Sequence, residues 1–395
     1  DKVFFDLMTE AETIYFNTNE HYRQAVETET REMRFIRKCR EKYPAHRVAR
    51  SNPILQKIRG VKEPEEIALM RTACGITEKG FRRVLAYIKP GVWEYEIEAE
   101  YLHEFVRNRS RGFAYTPIIA SGNNANVLHY TENNQQCREG DLILMDVGAE
   151  YANYSSDMTR TIPVNGKFSK RQREVYQAVL NVKNEATKML VPGTVWAEYH
   201  REVGKIMTSE LLGLGLLDKA DVQGEDPESP AYKKYFMHGT SHHIGLDTHD
   251  YGALKTPMKP NMVFTVEPGI YIPAEGIGIR IEDDVVVTKE GCDVLSKDVP
   301  KSLAPNVATD DSLADSAEAA NVAADVQVGR RGDDVGDAIA VDVADVAGDP
   351  AEGAARPLSP PLVHDAGRLD EGPRILLRAG EKRRHPRIVP DRLQI

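Results

Sequence analysis

Several broad classes are excluded by what this chain has little of. Only four cysteines, Cys39, Cys74, Cys137 and Cys292, occur in 395 residues. None has the paired spacing of a disulfide framework or of a Cys-rich structural zinc site, so a reduced, cytoplasmic setting is expected. No apolar run approaches the length that spans a bilayer, and no membrane association is expected. Positive charge is in deficit: 51 Lys and Arg against 61 Asp and Glu leave a formal net charge of -10, which argues against a nucleic-acid partner. The first residue is Asp1, and the opening FFDLMTEAETIYF has neither the basic region nor the apolar core of a signal peptide. The chain is therefore expected to begin inside a longer protein.

Aromatic residues vanish beyond Ser302. From there to Ile395 no Phe, Tyr or Trp occurs, and Lys382 is the single lysine in a background of Ala, Asp, Gly and Arg. Such a composition cannot readily build a packed core, so residues 301–395 are expected to form a low-complexity, disordered tail. The abrupt change of usage is also what translation from a shifted reading frame of GC-rich DNA would produce, and a partner-binding tail is a third reading. Residues 1–52 carry a strand candidate, Thr13 to Phe16, and a charged helical stretch from Arg23 to Tyr43 that stops before Pro44. They hold too little apolar surface to fold alone and read as the end of a larger domain.

Acidic residues set inside apolar strands are what the middle of the chain does have. The run from Gly140 to Val164 reads as two strands joined near Tyr151 and Ala152, which places Asp146 opposite Asp157. Opposed antiparallel residues hold their Cβ atoms about 5 Å apart, so two carboxylates there repel unless a cation sits between them or one is protonated. The construction recurs around a turn at Pro273 to Gly276, where Glu267 and Glu282 are equidistant from the centre. Between the hairpins lies YFMHGTSHHIGLDTHD, with His238, His242, His243 and His249 among glycines. One such acidic pair is commonly a solvated rim, and a lone histidine is more often a core residue than a ligand. Two pairs beside four histidines point to two divalent cations. Oxygen donors and imidazole without thiolate suit a hard to borderline ion such as Mn²⁺, with Co²⁺, Fe²⁺ and Zn²⁺ less readily distinguished.

The chain also echoes itself. Ile67, Met70, Cys74, Phe81, Leu85 and Ile88 mark one face of a helix stopped by Pro90 and Gly91; a second helix starts with a capping box, Ser169 to Gln172, and stops at Pro192 and Gly193. Each stop is followed by a Trp, another helix and an acidic hairpin. The repeat predicts a duplicated α+β domain whose halves face each other across a pseudo-twofold axis and bring both acidic pairs to one cleft.

LHYTEN, LMDVGAEYANYSSDMTRTIPVNGKF, FMHGTSHHIGLDTHD, TVEPGIY and GIGIRIEDD resemble, in order, the metal and substrate segments of aminopeptidase P, the Xaa-Pro aminopeptidases of metallopeptidase family M24. The resemblance covers residues 53–300 and implies the family's pita-bread fold. By it Asp146 would bind one metal, Asp157 and Glu282 would bridge both, and His242 with Glu267 would complete the ligands of the second metal. His129, His238 and His249 would contact substrate and transition state, with Tyr271 and Arg280 as further polar groups of the site and Glu267 as general base. His243 has no counterpart role. The implied reaction is release of the residue before a proline at position two, by attack of a metal-bridging water. Prolidase, restricted to Xaa-Pro dipeptides, shares the ligand set; a pita-bread binding protein without catalysis would have lost ligands, and here none is lost. Methionine aminopeptidase fits the HYTEN and SHHIGLD segments poorly. The family's amino-terminal domain is much longer than residues 1–52, and with it the resemblance allows a homo-oligomer.

Overall fold

The computed structural model describes residues 2–18, 29–226 and 229–301. The readings made of residues 302–395 fall outside them. The first part of the chain forms helix α1 (Lys2–Glu10), strand β1 (Thr13–Phe16), helix α2 (Arg31–Lys42) and strand β2 (Arg47–Arg50). β1 and β2 pair in parallel, Thr13 opposite Arg47, and α2 supplies the crossover that a parallel pair requires. The helix expected from Arg23 begins instead at Arg31, because Thr30 is extended and its hydroxyl accepts from the Met33 amide at 3.2 Å, a side-chain cap that ends the helix there. Residues 23–28 of that expectation lie outside the described range. Phe16, Ile36 and Cys39 make a small core of their own.

Next come α3 (Asn52–Gly60), α4 (Pro64–Tyr87) and α5 (Glu94–Arg107), followed by β3 (Ile118–Ser121), β4 (Leu142–Val147), the short β5 (Glu150–Tyr151) and β6 (Tyr154–Ser155), and β7 (Met158–Pro163). Then α6 (Lys170–Lys188), α7 (Trp196–Gly213) and α8 (Lys219–Gln223) precede β8 (Val263–Val266), β9 (Gly269–Ile272), β10 (Ile277–Arg280), β11 (Asp283–Val287) and β12 (Cys292–Val294). The sequence echo is therefore a structural one: a helix pair and a three-stranded antiparallel sheet occur twice, β3–β4–β7 after α4 and α5, and β12–β11–β8 after α6 and α7. Both helix stops turn on a glycine at positive φ, Gly91 at 95° and Gly193 at 92°.

Each half packs its helices on its own strands. In the first, Ile76, Phe81, Ile97, Tyr101 and Phe105 cover Ile119, Ile143 and Met145; in the second, Val175, Val179, Val182, Val203 and Met207 cover Phe264, Ile270 and Ile279. Met70, Cys74 and Phe81 of the expected α4 face are buried, while Ile67, Leu85 and Ile88 are half-buried. A fully buried aliphatic side chain of this kind contributes roughly 1.5–3 kcal/mol. The Ser169–Gln172 capping box opens α6 as expected, with the Gln172 amide donating to Ser169 Oγ at 3.2 Å and the Ser169 amide to Gln172 Oε1 at 2.9 Å.

The halves join along β7. Glu282 donates its amide to the Thr159 carbonyl at 3.0 Å, and Arg280 its amide to Thr161 Oγ1 at 3.2 Å. Both hairpins thereby meet at one place, with their acidic residues between them.

Candidate metal centre

Register decides which side chains meet. In the second hairpin Ile272 pairs with Ile277 and Val266 with Asp283, so one register runs through both ladders and sets Glu267 against Glu282, as read from the sequence. The first hairpin corrects the sequence reading. Asp146 lies opposite Thr159 and Val147 opposite Met158. The turn is centred between Ala152 and Asn153, at φ 51° and 71°. A two-residue hairpin turn of this kind needs positive φ at both central positions, which Asn tolerates and Tyr151 would resist. Asp157 is consequently two residues from the position facing Asp146, on the same side of the strand.

A third residue brings the two acids together. The Tyr115 hydroxyl lies 2.6 Å from Asp146 Oδ1 and 2.6 Å from Asp157 Oδ1. A phenol has one proton to donate, so these two contacts to two carboxylates imply either a proton on one acid or a cation nearby. Nothing in the local sequence around Tyr115 signals this role. The Asp157 amide is turned away from its own hairpin and donates to Asp284 Oδ2 at 2.9 Å.

Across the cleft, His242 points Nε2 to within 3.4 Å of Asp157 Oδ2 and 3.8 Å of Glu267 Oε1. Its Nδ1 faces the His243 carbonyl at 3.0 Å, which assigns the proton to Nδ1 and leaves Nε2 free to act as a donor atom for a metal. The Glu267 amide donates to the Thr240 carbonyl at 2.8 Å, and Glu282 Oε2 accepts from Thr159 Oγ1 at 2.6 Å. Among the described residues, Asp157, His242 and Glu282 each offer a donor atom within 4.8 Å of the others, close enough for one ion to touch all three. Asp146 and Glu267 border that group. Asp146 Oδ2 is engaged by Arg280 Nη2 at 2.5 Å.

The charge balance is what a cation site needs. Asp146, Asp157, Glu267 and Glu282 bring four carboxylates, against which Arg280 is the permanent cation in direct contact. Burial raises the pKa of Asp157, of Glu267 to about 7 and of Glu282 well above the usual range, with the neighbouring carboxylates adding to the shift in each case. His242, which burial alone would lower, is raised to about 9 by Asp157 and Glu267. Carboxylates that resist ionising beside one another are those a divalent ion stabilises most.

Around this centre Arg280 Nη1 donates to the Tyr271 hydroxyl at 2.8 Å, and that hydroxyl lies 2.8 Å from His238 Nε2. A guanidinium only donates, so Tyr271 gives its proton to His238 Nε2, and His238 Nδ1–H donates to the Gly239 carbonyl at 2.9 Å. His238 Nδ1 is 3.6 Å from Glu267 Oε2. The exposed ring of His249 stands 4.2 Å from that of His242. His129 is exposed, between Leu128 and Tyr130, which pack in one cluster with Tyr271. His243 points elsewhere: its buried ring stacks on Trp196 and lies 4.4 Å from the Phe264 ring, and burial pushes its pKa down to about 3. It is a neutral core histidine.

Comparison with known proteins agrees with this geometry. The model of metallopeptidase family M24 matches residues 68–289. The chain is 44% identical over 264 residues to the Xaa-Pro aminopeptidase of Haemophilus influenzae, a match covering 64% of this chain and 61% of that one. It is 44% identical over 261 residues to the Xaa-Pro aminopeptidase of Escherichia coli, covering 63% and 59%. The chain thus spans about three fifths of the length of these relatives. Among solved structures, zinc-substituted E. coli aminopeptidase P in complex with product superposes with a TM-score of 0.67 at 37% identity, covering 76% of this chain and 71% of that one. Proline aminopeptidase P II from Yersinia pestis gives a TM-score of 0.65 at 37% identity, covering 76% and 72%. The duplicated architecture is the pita-bread fold of these enzymes.

Proposed function

We propose, from the premise that this chain belongs to metallopeptidase family M24, that it is a two-metal aminopeptidase releasing the first residue of peptides with proline at position two. The observation that carries the reading is the convergence of Asp157, His242 and Glu282 on one point, bordered by Asp146 and Glu267. We assign these five side chains to two divalent ions, Asp157 and Glu282 to both, Asp146 to one, and His242 with Glu267 to the other. The donor set of carboxylates and one imidazole favours Mn²⁺, with Co²⁺, Fe²⁺ and Zn²⁺ as the competing ions. When bound, such a pair supplies Lewis acidity, as in two-metal hydrolases generally, aminopeptidases among them: water becomes a stronger nucleophile and charge developing on the substrate carbonyl is offset.

The protein's own groups do the rest. Glu267, at the edge of the donor cluster, takes the proton of the attacking water as general base. His249 donates a hydrogen bond to the substrate oxygen as the carbonyl becomes tetrahedral, His238, held by Tyr271 and Gly239 beside Glu267, contacts the substrate next to the base, and His129 lines the substrate path. A prolyl amide has no N–H and a fixed φ. A pocket that relies on shape and imidazole contacts accepts it where an amide-recognising site would not.

Residues 53–300 form the catalytic domain in this reading, with residues 1–52 the end of a preceding domain whose family counterpart supports a homo-oligomer. We place the protein in a reducing, cytoplasmic setting because its four cysteines are free thiols; no helix among the described residues is long and apolar enough to cross a membrane. Incubating the protein with Mn²⁺ and either Gly-Pro or a longer Xaa-Pro-Xaa peptide, with products followed by mass spectrometry, tests the proposal. Release of the first residue from the longer peptide is expected. Cleavage confined to the dipeptide makes the protein a prolidase, and no cleavage with no metal retained after Mn²⁺ incubation makes it a pita-bread binding protein.

A further inference from the structure

His249 sits on a loop, residues 245–252, that is held by residues almost two hundred positions earlier. Arg59, at the end of α3, places Nη2 2.6 Å from Asp250 Oδ1 and 2.8 Å from Asp247 Oδ2, and its guanidinium lies 5.0 Å from the Tyr251 ring centre. Lys62 donates its amide to the Asn261 carbonyl at 2.9 Å and sets Nζ 3.3 Å from Asp250 Oδ2. The Asp250 carboxylate, 1% exposed, is thus buried between two cations. Its backbone leads on to the centre. The Asp250 amide donates to the His243 carbonyl at 2.9 Å, and the same carbonyl faces His242 Nδ1 at 3.0 Å. Gly245 makes the closure possible, since a Cβ there would lie 2.4 Å from Asp250 Oδ2 and 2.8 Å from Lys62 Cε.

We propose that Arg59 and Lys62 are positioning residues for the reaction: by fixing Asp250 they hold the loop that presents His249 beside His242. An exposed side chain on an unanchored loop would have to be ordered at each turnover, whereas one ordered in advance avoids that cost in the transition state. A buried ion pair is by itself weak evidence for stabilisation, and its use in fixing one conformation is the better supported role. The role in turnover rests on the aminopeptidase reading; the role in ordering the loop does not.

Two measurements separate these. Hydrogen exchange on the full chain reads the loop without any reaction: in Arg59→Gln the amides of Gly245 and Asp250 should exchange faster, with those of α4 and β4 unchanged. Unchanged loop exchange overturns the clamp whether or not the protein is a peptidase. Kinetics of the Mn²⁺-loaded enzyme on an Xaa-Pro-Xaa peptide then read its effect. Arg59→Gln should lower kcat by about 10–100-fold at unchanged metal content, with a smaller change in KM, as for other residues that act through a ligand's support. Arg59→Lys, which keeps the charge, should restore most of the loss. In a His249→Ala background, itself slower but still metal-loaded, Arg59→Gln should cost less than about threefold, because the group it positions is gone. An equal cost in both backgrounds makes the pair merely structural and overturns the positioning role. If the parent cleaves no Xaa-Pro peptide, the aminopeptidase reading falls and the exchange arm decides the clamp alone. Should Arg59→Gln not fold, Asp247→Asn, at an acid whose side chain is 57% exposed, removes one of the two charges that hold Arg59 and should give the same pattern at smaller size; no change in loop exchange there overturns the clamp.

Discussion

The β4–β7 hairpin keeps its ladder unbroken from Leu142 opposite Pro163 to Val147 opposite Met158, whereas the second hairpin releases its ladder between the β9–β10 and β8–β11 pairs. Glu267 and Glu282 sit in that gap, and their amides turn to the carbonyls of Thr240 and Thr159. Asp157 follows the same pattern just before β7, its amide turned to Asp284 of the other half. Asp146 alone is oriented by its own ladder. The difference teaches that two of the four candidate acids, Asp157 and Glu282, depend on the opposing half for their backbone bonding, so the centre is completed only when the halves dock.

The halves also exchange cations unequally. Arg280 of the second half reaches Asp146 of the first, and Arg160 of the first reaches Asp283 of the second. Asp283, however, has Arg160 Nη2 at 2.7 Å, Lys301 Nζ at 2.8 Å and Lys183 in contact as well, and these three cations overcome its burial and hold its pKa well below the carboxylate range. Glu282, one residue earlier, forms no ion pair among the described residues, and burial with its acidic neighbours outweighs the pull of Arg280 and raises it instead. Asp283, its charge balanced by three cations, serves structure, whereas Glu282 is left available to a metal.

Substitutions can break or sharpen that contrast. Asp157→Asn, on the unbalanced side, should lower kcat/KM by more than the about 10–100-fold typical of residues behind a ligand, with metal content falling alongside. Near-normal turnover in the Mn²⁺-loaded variant refutes its assignment as a bridging group. On the balanced side, Asp283→Asn strands Arg160 and Lys183 without their counter-charge and should cost about 3–5 kcal/mol in urea unfolding of the metal-free protein. The folded fraction should still take up its metals; loss of metal without loss of stability would reverse the two roles.

The third test uses pH. Asp157, Glu267 and Glu282 have pKa values raised in the folded state, so their contribution is fully present below the unfolded carboxylate range and is lost as pH rises through about 7 for Glu267 and higher for Glu282. His242, raised to about 9, acts in the same direction, its contribution lost as pH climbs toward that value. The metal-free protein should therefore melt lower at about pH 8 than at about pH 5.5, and Mn²⁺ should raise Tm more at the higher pH, since the ion favours the ionised acids. An equal Mn²⁺ increment at both values would show that the acids do not hold the ion. The smallest effect is expected of Tyr115→Phe, which removes one hydroxyl and leaves every donor atom: metal affinity, read by titration calorimetry, should weaken by no more than about tenfold.

Local chemistry made much of this molecule legible in advance. The Ser169–Gln172 box, the paired Pro-Gly stops and the spacing of Met70, Cys74 and Phe81 are short-range signals, and they yielded the repeated helix pairs. The second hairpin was readable because its turn at Pro273 to Gly276 fixes the register of everything outward from it. The first was misread by one step at its centre, because both Ala152 and Asn153 adopt positive φ and no motif announces an alanine there.

What the sequence alone determined is the composition of the centre: two acid-bearing hairpins, a histidine-rich connector and a duplicated frame, each set by neighbours a few residues apart. Only the tertiary structure decided that Tyr115 joins Asp146 to Asp157, that Asp157 turns its amide to Asp284, and that Arg59 holds the loop of His249. Those outcomes depend on groups up to 191 positions apart, whose distance follows from how separately packed parts of the chain dock rather than from any periodicity along it.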